Sequence, residues 1–223
     1  SDLIHEVLIQ EGIRDTALEG EIKKRRIPVK VLGRKKMDQL LNGNHQGIAA
    51  CIDDYKTWEL EELLESVPQG KQPLLVMLDG LEDPHNLGAI LRTCDCIRAD
   101  GVIIGKHRNV RLTPTVAKVS TGAIDTVKVS VVTNLVQAIK YLKKQGYWVV
   151  GTDFENSRDY REGQYDVPLV LVIGSEGFGI SSLVKKNCDY CVRLPMEGSV
   201  SSLNASVAAG ILLYQIHAQR HPL

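Results

Sequence analysis

The stretch Leu194–Asn204, with the sequence LPMEGSVSSLN, indicates the fold class because three local signals follow one another in it. It begins as the end of an apolar strand and continues as a polar loop rich in Gly and Ser. An Ala-rich apolar run follows at once and predicts a helix over 203–217. Ser201 or Ser202 can cap that helix by accepting its free N–H groups. A strand, a polar loop and a helix in this order are typical of an α/β protein.

Two further polar loops of this kind precede it, DGLEDPHNLG at 79–88 and IGSEGFGI at 173–180. Around them, short apolar strands alternate with helices, which predicts a parallel sheet covered by helices on both faces. The predicted strands are 74–78, 101–104, 127–132, 147–150, 169–173 and 190–194, and the predicted helices are 86–97, 113–118 and 134–145, with Thr133 as the cap of the last. Because ligands of such sheets bind at the carboxyl ends of strands, the three loops form a candidate active site.

A break in the pattern at 66–73, SVPQGKQP, predicts a linker at 67–73 between two domains, 1–66 and 74–223. The first domain is predicted to contain strands at 6–9, 29–32 and 47–52 and helices at 36–41 and 58–66. The segment 21–36 holds eight basic residues and one acidic residue, Glu21. These charges form either a solvated surface or a patch that contacts phosphates.

Charge and hydropathy restrict the classes of protein to which the chain can belong. The 223 residues carry 27 basic and 27 acidic side chains, so any RNA binding must depend on local patches rather than on net charge. No apolar run reaches the roughly 18 residues of a membrane span. The first residues, Ser1–Glu6, have no basic region followed by an apolar core, which argues against a signal peptide.

The cysteines indicate a reducing compartment, the cytoplasm. Their odd number, five, argues against a disulfide framework. The pair Cys188 and Cys191 has redox or zinc-like spacing, but no second ligand pair follows. We therefore expect reduced thiols and no metal site.

Each loop taken alone remains ambiguous. Gly174–Gly179 is either a ligand loop or a plain tight turn, and it lacks the fingerprints of dinucleotide and P-loop sites. Asn86 is either a functional group or the N-cap of its helix. Arg92 lies off the apolar stripe of the same helix, where a surface arginine is common, and His85 is either a base or an exposed turn residue.

Together and in order, the three loops resemble the three motifs of the SpoU (TrmH-like) RNA ribose 2′-O-methyltransferases. The motifs correspond to 86–93, NLGAILRT, to 171–177, LVIGSEG, and to 194–204. The segment 44–49, NHQGIA, also resembles the end of the small RNA-binding domain of the RlmB-like branch, which methylates a guanosine ribose in large-subunit ribosomal RNA. The resembling proteins begin earlier, with a Gly-Lys-Asn-Pro segment and a first helix, so the first domain is expected to be incomplete.

The resemblance implies a SPOUT fold with a C-terminal trefoil knot, a cytoplasmic homodimer and S-adenosylmethionine as cofactor. It implies that the cofactor is bound by Gly174, Leu194, Met196, Leu203 and, less directly, Thr152. It also implies catalytic roles for Arg92, Asn86, Glu176, Ser202 and Asn204.

Arg92 is expected to clamp the target phosphate rather than to act as a base, because its reference pKa above about 12 opposes deprotonation. Two other functions remain open. One is methylation of a tRNA ribose, and the other is RNA binding without catalysis on the same fold.

Overall fold

The computed structural model describes residues 4–41 and 45–222. The chain divides between Tyr55 and Lys56 into two compact units, called here the first and the second unit. Asn44, the first residue of the segment 44–49, lies outside the described residues.

The first unit is a small sheet with two helices. Its strands β1 (Ile4–Gln10), β2 (Val29–Leu32) and β3 (Ile48–Ile52) lie in the order β2-β1-β3. Strand β1 pairs with β2 in parallel and with β3 antiparallel. All three predicted strands are confirmed, as is the second helix, α2 (Arg34–Leu40).

Helix α1 (Thr16–Lys24) is absent from the sequence-based prediction. The Asp15 side chain caps it by accepting the N–H groups of Ala17 and Leu18. Only Ile22 of this helix is buried, so it has too weak an apolar pattern to be recognised from sequence.

The second unit contains a seven-stranded sheet in the order β6-β5-β4-β9-β7-β10-β8, and every pair of neighbouring strands is parallel. All residues of β9 and all but the last of β4 are buried, so these apolar strands form the centre of the sheet. The strands are β4 (Leu74–Asp79), β5 (Gly101–Gly105), β6 (Val129–Val132), β7 (Trp148–Thr152), β8 (Arg158–Asp159), β9 (Leu169–Gly174) and β10 (Tyr190–Arg193).

Helices cover both faces of this sheet, as the alternation predicts. On one face, Leu75, Met77 and Val172 share a core with residues of α3, α7 and α8. Because side chains alternate along a strand, the residues between them face the other side, where α4 packs against α5, α6 and α9. The helices are α3 (Leu60–Glu65), α4 (Pro84–Cys96), α5 (Pro114–Ser120), α6 (Ala123–Thr126), α7 (Leu135–Lys144), α8 (Ser182–Asn187) and α9 (Ala205–Arg220).

The boundary between the units lies earlier than the linker expected at 67–73. The Trp58 N–H donates to the Val129 carbonyl at 2.9 Å, and Leu60 and Leu63 are buried in the core of the second unit. Leu63 packs so closely on Gly101 that a Cβ there would lie 2.7 Å from it. Residues 56–66 therefore belong to the second unit, because their apolar side chains are buried there.

Two helix caps also differ from the expectation. Asn134, not Thr133, caps α7 by accepting the Gln137 N–H at 3.1 Å. Asn204, rather than Ser201 or Ser202, caps α9, which spans 205–220 instead of 203–217. These shifts are small along the chain, but the cap of α9 proves central to the site.

Within the described part of the chain, no helix has both the length and the apolar character that crossing a membrane requires.

Candidate active site

Two of the three polar loops, 173–180 and 194–204, line a cavity of about 530 Å³ at the carboxyl edge of the sheet, and the loop 79–88 lies next to them through Asn86. The cavity is lined by residues that follow β7, β9 and β10 and by the first turns of α9. Its volume lies within the range of about 300–1,000 Å³ that is typical of small-molecule sites.

The loop after β9 is shaped by its glycines. Ser175 and Gly179 exchange two backbone hydrogen bonds, of 3.1 and 3.0 Å, which close the loop on itself. A Cβ on Gly174 would lie 2.1 Å from the backbone of Gly179, so only glycine fits there. Gly177 and Gly179 both have positive φ, which glycine adopts without strain. The turn places Glu176 on the cavity wall and leaves Phe178 at the tip, 95% exposed.

One hydrogen-bonded network joins a residue from each of the three loops. Asn86 Nδ2 donates to Glu176 Oε1 at 3.0 Å, and Asn204 Nδ2 donates to Asn86 Oδ1 at 2.9 Å. Asn204 Nδ2 also donates to Glu176 Oε1, and so does the backbone N–H of Ala205, at 3.1 Å. We call these three side chains the Asn86–Glu176–Asn204 network.

Local helix starts place the two asparagines. Asp83 caps α4 by accepting the His85 N–H at 2.9 Å, and Pro84 occupies the first helical turn. Asn86 is therefore not the cap but a residue of the first turn, 6% exposed, with its amide turned to Glu176. The backbone hydrogen bond from His85 holds the pKa of the Asp83 carboxyl below its usual value.

Asn204 serves two purposes at once. Its Oδ1 accepts the N–H groups of Ser206 and Val207 as the cap of α9, at 3.0 and 3.3 Å. Its Nδ2 remains free to donate into the network. The Glu176 carboxylate thus lies at the N-terminus of a helix of 16 residues, where the helix dipole stabilises negative charge.

All five residues expected to bind the cofactor line the cavity, and Ser202 lies beside them on its wall. Thr152 donates its hydroxyl to the Val172 carbonyl at 3.2 Å, which fixes its side chain across β7 and β9. The five are Thr152, Gly174, Leu194, Met196 and Leu203.

Arg92 is the predicted catalytic residue that lies neither in the network nor on the wall of the cavity. It is exposed on α4 and makes no hydrogen bond or ion pair with any residue of the described ranges. Six helical residues separate it from Asn86, which corresponds to about 9 Å along the axis and about 120° around it. Its guanidinium is consequently available to a ligand.

The sequence analysis did not include Asp153, Phe154 and Arg193, which also line the cavity. Asp153 is paired with Lys185 of α8, and Phe154 is half exposed at the rim. Their position directly after β7 or at the end of β10 was the available signal, since those strand ends share the ligand-binding edge.

A second cavity of about 450 Å³ shares Ser175, Glu176, Phe178 and Gly179 with the first. Asn86 and the exposed cation Arg108 also line it. Glu176 is therefore accessible from two cavities.

Among the described residues, no group of three His, Cys, Asp or Glu side chains is arranged to hold a metal ion. The five cysteines form no disulfide in the structure.

Comparison with known proteins shows the family to which the chain belongs. The sequence profile of the SpoU rRNA Methylase family matches residues 73–214, and a profile described as RNA 2′-O ribose methyltransferase substrate binding matches residues 1–58. The first match covers more than half of the chain and contains all three loops. The chain belongs to the SpoU family.

Relatives agree with the SpoU assignment. A protein of Staphylococcus haemolyticus, whose name places it in the TrmH family of tRNA/rRNA methyltransferases, is 48% identical over 223 residues, covering 98% of this chain and 89% of the relative. The SpoU methyltransferase AviRb from Streptomyces viridochromogenes, solved in complex with AdoMet, superposes with a TM-score of 0.78 at 25% identity, over 97% of this chain and 83% of AviRb. The A. aeolicus TrmH/SpoU tRNA modifying enzyme matches with a TM-score of 0.63 at 32% identity, over 72% and 82% of the two chains.

Proposed function

We propose that this SpoU-family protein transfers the methyl group of S-adenosylmethionine to a ribose 2′-hydroxyl, that of a guanosine in large-subunit ribosomal RNA. The observation that carries the proposal is the Asn86–Glu176–Asn204 network, which holds Glu176 on the wall of a cavity of small-molecule size. Family membership supplies the reaction class, and the network supplies polar groups that are already fixed in place.

The cavity suits the cofactor chemically. Leu194, Met196 and Leu203 offer apolar surface, and the lack of a side chain on Gly174 lets the loop after β9 close on itself at the cavity wall. When bound, S-adenosylmethionine supplies an activated methyl group on a positively charged sulfur. In this proposal, the five cavity residues named above hold the cofactor.

In this proposal, the Glu176 carboxylate attracts the positively charged sulfur of the cofactor. Its Oε1 accepts three hydrogen bonds, whereas its Oε2 has none from the described residues. The oriented carboxylate favours a positive charge in the cavity. Since that charge disappears as the methyl group leaves, Glu176 contributes to cofactor binding rather than to the chemical step.

Arg92 acts on the RNA. A guanidinium binds a phosphate through two parallel hydrogen bonds and so fixes both the position and the orientation of the attached ribose. Alignment of the hydroxyl with the methyl group is the main difficulty of this reaction, and positioning can contribute several kcal/mol. The proton of the hydroxyl leaves to water or to a neighbouring group as the O–C bond forms and the C–S bond breaks.

Asn86 and Asn204 are positioning residues in this scheme. Asn86 is buried, and its amide is used by Glu176 and Asn204, so it orients those two groups rather than the substrate. Ser202 is half-buried on the cavity wall, and its hydroxyl forms no hydrogen bond with the described residues, so it remains available to the ribose.

The first unit supplies the RNA contact. All eight basic residues between 21 and 36 are exposed. Only Lys24, Arg25 and Arg34 form ion pairs with acidic side chains among the described residues. The others can neutralise phosphates and release counterions, which gives salt-dependent binding.

We infer ribosomal RNA in the cytoplasm as the substrate because the profile described as substrate binding matches the first unit. The tRNA alternative has its own support. A tRNA modifying enzyme of A. aeolicus is 32% identical to this chain, and relatives carry both substrates in their names. That enzyme matches only 72% of this chain, which favours ribosomal RNA.

We further propose that the protein is a homodimer. Val207, Ile211 and Tyr214 are exposed at helical spacing along one side of α9, and Leu203, just before the helix, is exposed as well. An apolar stripe of this kind favours burial against a second copy. A charged substitution such as Ile211→Arg is expected to convert a dimer in sedimentation analysis into a monomer.

A trefoil knot is also part of the proposal. Strand β9 lies between β4 and β7, whereas the later β10 lies beyond β7, so the chain crosses β7 on its way to the C-terminal helix. Knots are rare in general, and the resemblance to SpoU proteins is what favours one here.

The deciding experiment is methyl transfer from labelled S-adenosylmethionine to purified ribosomal RNA and to purified tRNA, followed by mapping of the modified ribose. Label at one guanosine 2′-oxygen of large-subunit ribosomal RNA is the expected result. Label in tRNA only would contradict the substrate, while the reaction would stand. Cofactor binding without transfer to either RNA or to ribosomal particles would favour the alternative of RNA binding without catalysis.

A further inference from the structure

The Cys188–Cys191 pair joins α8 to β10 and has no part in the function proposed above. Cys188 follows the last residue of α8, and Cys191 lies within β10. A Cβ placed on Gly151 of β7 would lie 3.0 Å from each of the two sulfur atoms. The two thiols therefore converge on one point above Gly151.

The surroundings of the pair favour a thiolate. A hydrogen bond from the Cys188 thiol, followed by the positive charge of Lys185, lowers the pKa of Cys191 despite its burial. The same hydrogen bond raises the pKa of Cys188. By contrast, burial raises the pKa of the Cys94 thiol to about 12, which makes that cysteine unreactive.

We propose that Cys188 and Cys191 form a redox modification site, in which a disulfide closes in the presence of a peroxide and weakens binding in the neighbouring cavity. The Cys191 thiolate attacks one oxygen of hydrogen peroxide, the O–O bond breaks, and hydroxide leaves. The resulting sulfenic acid is attacked by the sulfur of Cys188, so that an S–S bond forms and water leaves with the thiol proton. The two thiols lose two electrons, and one peroxide accepts them.

The exposure of the two thiols agrees with oxidation of Cys191 first and attack by Cys188 second. Cys191 is 7% exposed, which admits a small oxidant more readily than a bulky reagent, and Cys188 is more exposed and can resolve the sulfenic acid. A low-pKa thiol next to a resolving cysteine is typical of redox-sensitive sites.

The pair lies one residue away from the cavity on both strands. Cys191 is in register with Gly151, and the next pair, Val192 and Thr152, lines the cavity. A disulfide brings the sulfurs to about 2.05 Å, more than about 1 Å closer than non-bonded sulfurs. Because Cys191 and Gly151 are held in adjacent strands, we expect this contraction to shift the cavity wall that Thr152 and Val192 form.

The consequence for binding rests on the proposed function, whereas disulfide formation does not. The test therefore has two readouts. Trypsin cleaves after Lys186 and Arg193 and releases the peptide NCDYCVR, which contains this pair and no other cysteine. Mass spectrometry of this peptide reports the disulfide, and calorimetry with S-adenosylmethionine reports the affinity of the full chain.

After treatment with hydrogen peroxide, the peptide is expected to lose two hydrogens, and dithiothreitol is expected to restore them. The Kd for S-adenosylmethionine is expected to rise about tenfold, since a gap of about 0.5–1 Å already removes a quarter to a half of the van der Waals attraction at the displaced wall. Cys188→Ser should lose both responses, whereas Cys96→Ser, which removes an exposed cysteine outside the pair, should keep them.

A sulfinic acid on one cysteine, or two unchanged thiols, would overturn the modification site. A disulfide that leaves the Kd of a binding-competent protein unchanged would overturn its effect on the cavity. If the reduced protein binds no S-adenosylmethionine at all, the proposed function fails, and the peptide mass still decides whether the disulfide forms.

Discussion

The Asn86–Glu176–Asn204 network and Arg92 differ in how the protein holds them, although α4 carries both Asn86 and Arg92. The network is held together internally, by hydrogen bonds of 2.9 to 3.1 Å and by the cap of α9. Arg92 is exposed and has no partner among residues 4–41 and 45–222. This contrast indicates a division of labour, in which the network is organised before any ligand arrives and Arg92 is ordered by its ligand.

The largest expected effect is the loss of methyl transfer when the Arg92 side chain is removed. Arg92→Ala is expected to lower the methyl transfer rate by about 10²–10³-fold, the usual cost of removing one oriented donor. The Kd for S-adenosylmethionine should stay within about twofold, because Arg92 does not line the cofactor cavity. Single-turnover kinetics and calorimetry measure the two quantities.

Two further variants test how the effect of Arg92→Ala on the rate is interpreted. Arg92→Lys keeps the charge but loses the paired donors, so a partial recovery of the rate indicates a phosphate clamp. Lys140→Ala removes an exposed cation from α7, on the other face of the sheet, and should leave the rate unchanged. Loss of cofactor affinity in Arg92→Ala would contradict the division of labour.

The second prediction concerns the network. Asn86→Asp keeps the shape of the side chain but replaces a donor to Glu176 with a second carboxylate. We expect a loss of about 1–3 kcal/mol in the free energy of unfolding at pH 7, the cost of a buried polar group that loses its partner. Repulsion raises the pKa of one carboxyl in the folded state above its unfolded value, so the folded protein binds more protons.

The stability of Asn86→Asp should therefore fall as the pH rises from about 5 to 7, in contrast to the parent protein. Urea unfolding at both pH values measures this. Asn134→Asp is the matched control, since Asn134 is an exposed helix cap that only accepts a hydrogen bond. If both variants showed the same pH dependence, the network would not be the cause.

The smallest effect concerns the cap that places Asn86. Asp83→Ala is expected to cost about 1 kcal/mol, whereas Asp83→Asn should cost a few tenths, since both Asp and Asn cap helices well. Thermal unfolding should show a decrease of about 2–4 °C for the alanine variant.

The pKa of Asp83 is lowered in the folded protein, so its contribution is present above its unfolded pKa of about 3.9 and is lost as the pH falls through the folded value. The difference between the parent protein and Asp83→Ala should accordingly shrink in acid. A difference that persisted below that range would show that the Asp83 carboxylate is not what holds the start of α4.

Much of the second unit is predictable from the sequence because its local signals agree. Buried apolar strands such as β4 and β9 recur between helices, and the three polar loops follow strand ends. The less regular parts are not predictable in this way. Helix α1 buries only Ile22, and 56–66 carries an ordinary helix signal that does not say which core receives Leu63.

The sequence by itself determined the α/β class and the three polar loops that follow strand ends, because periodicity and loop composition are local properties. Only the tertiary structure decided that Asn204 caps α9 and that Asn86 does not cap α4. It also decided that Asn86 and Asn204, 118 positions apart, share a hydrogen bond beside Glu176 while Arg92 has no partner among the described residues. The physical reason is that a parallel sheet brings the carboxyl ends of distant strands to one edge, and no local pattern records which side chains meet there.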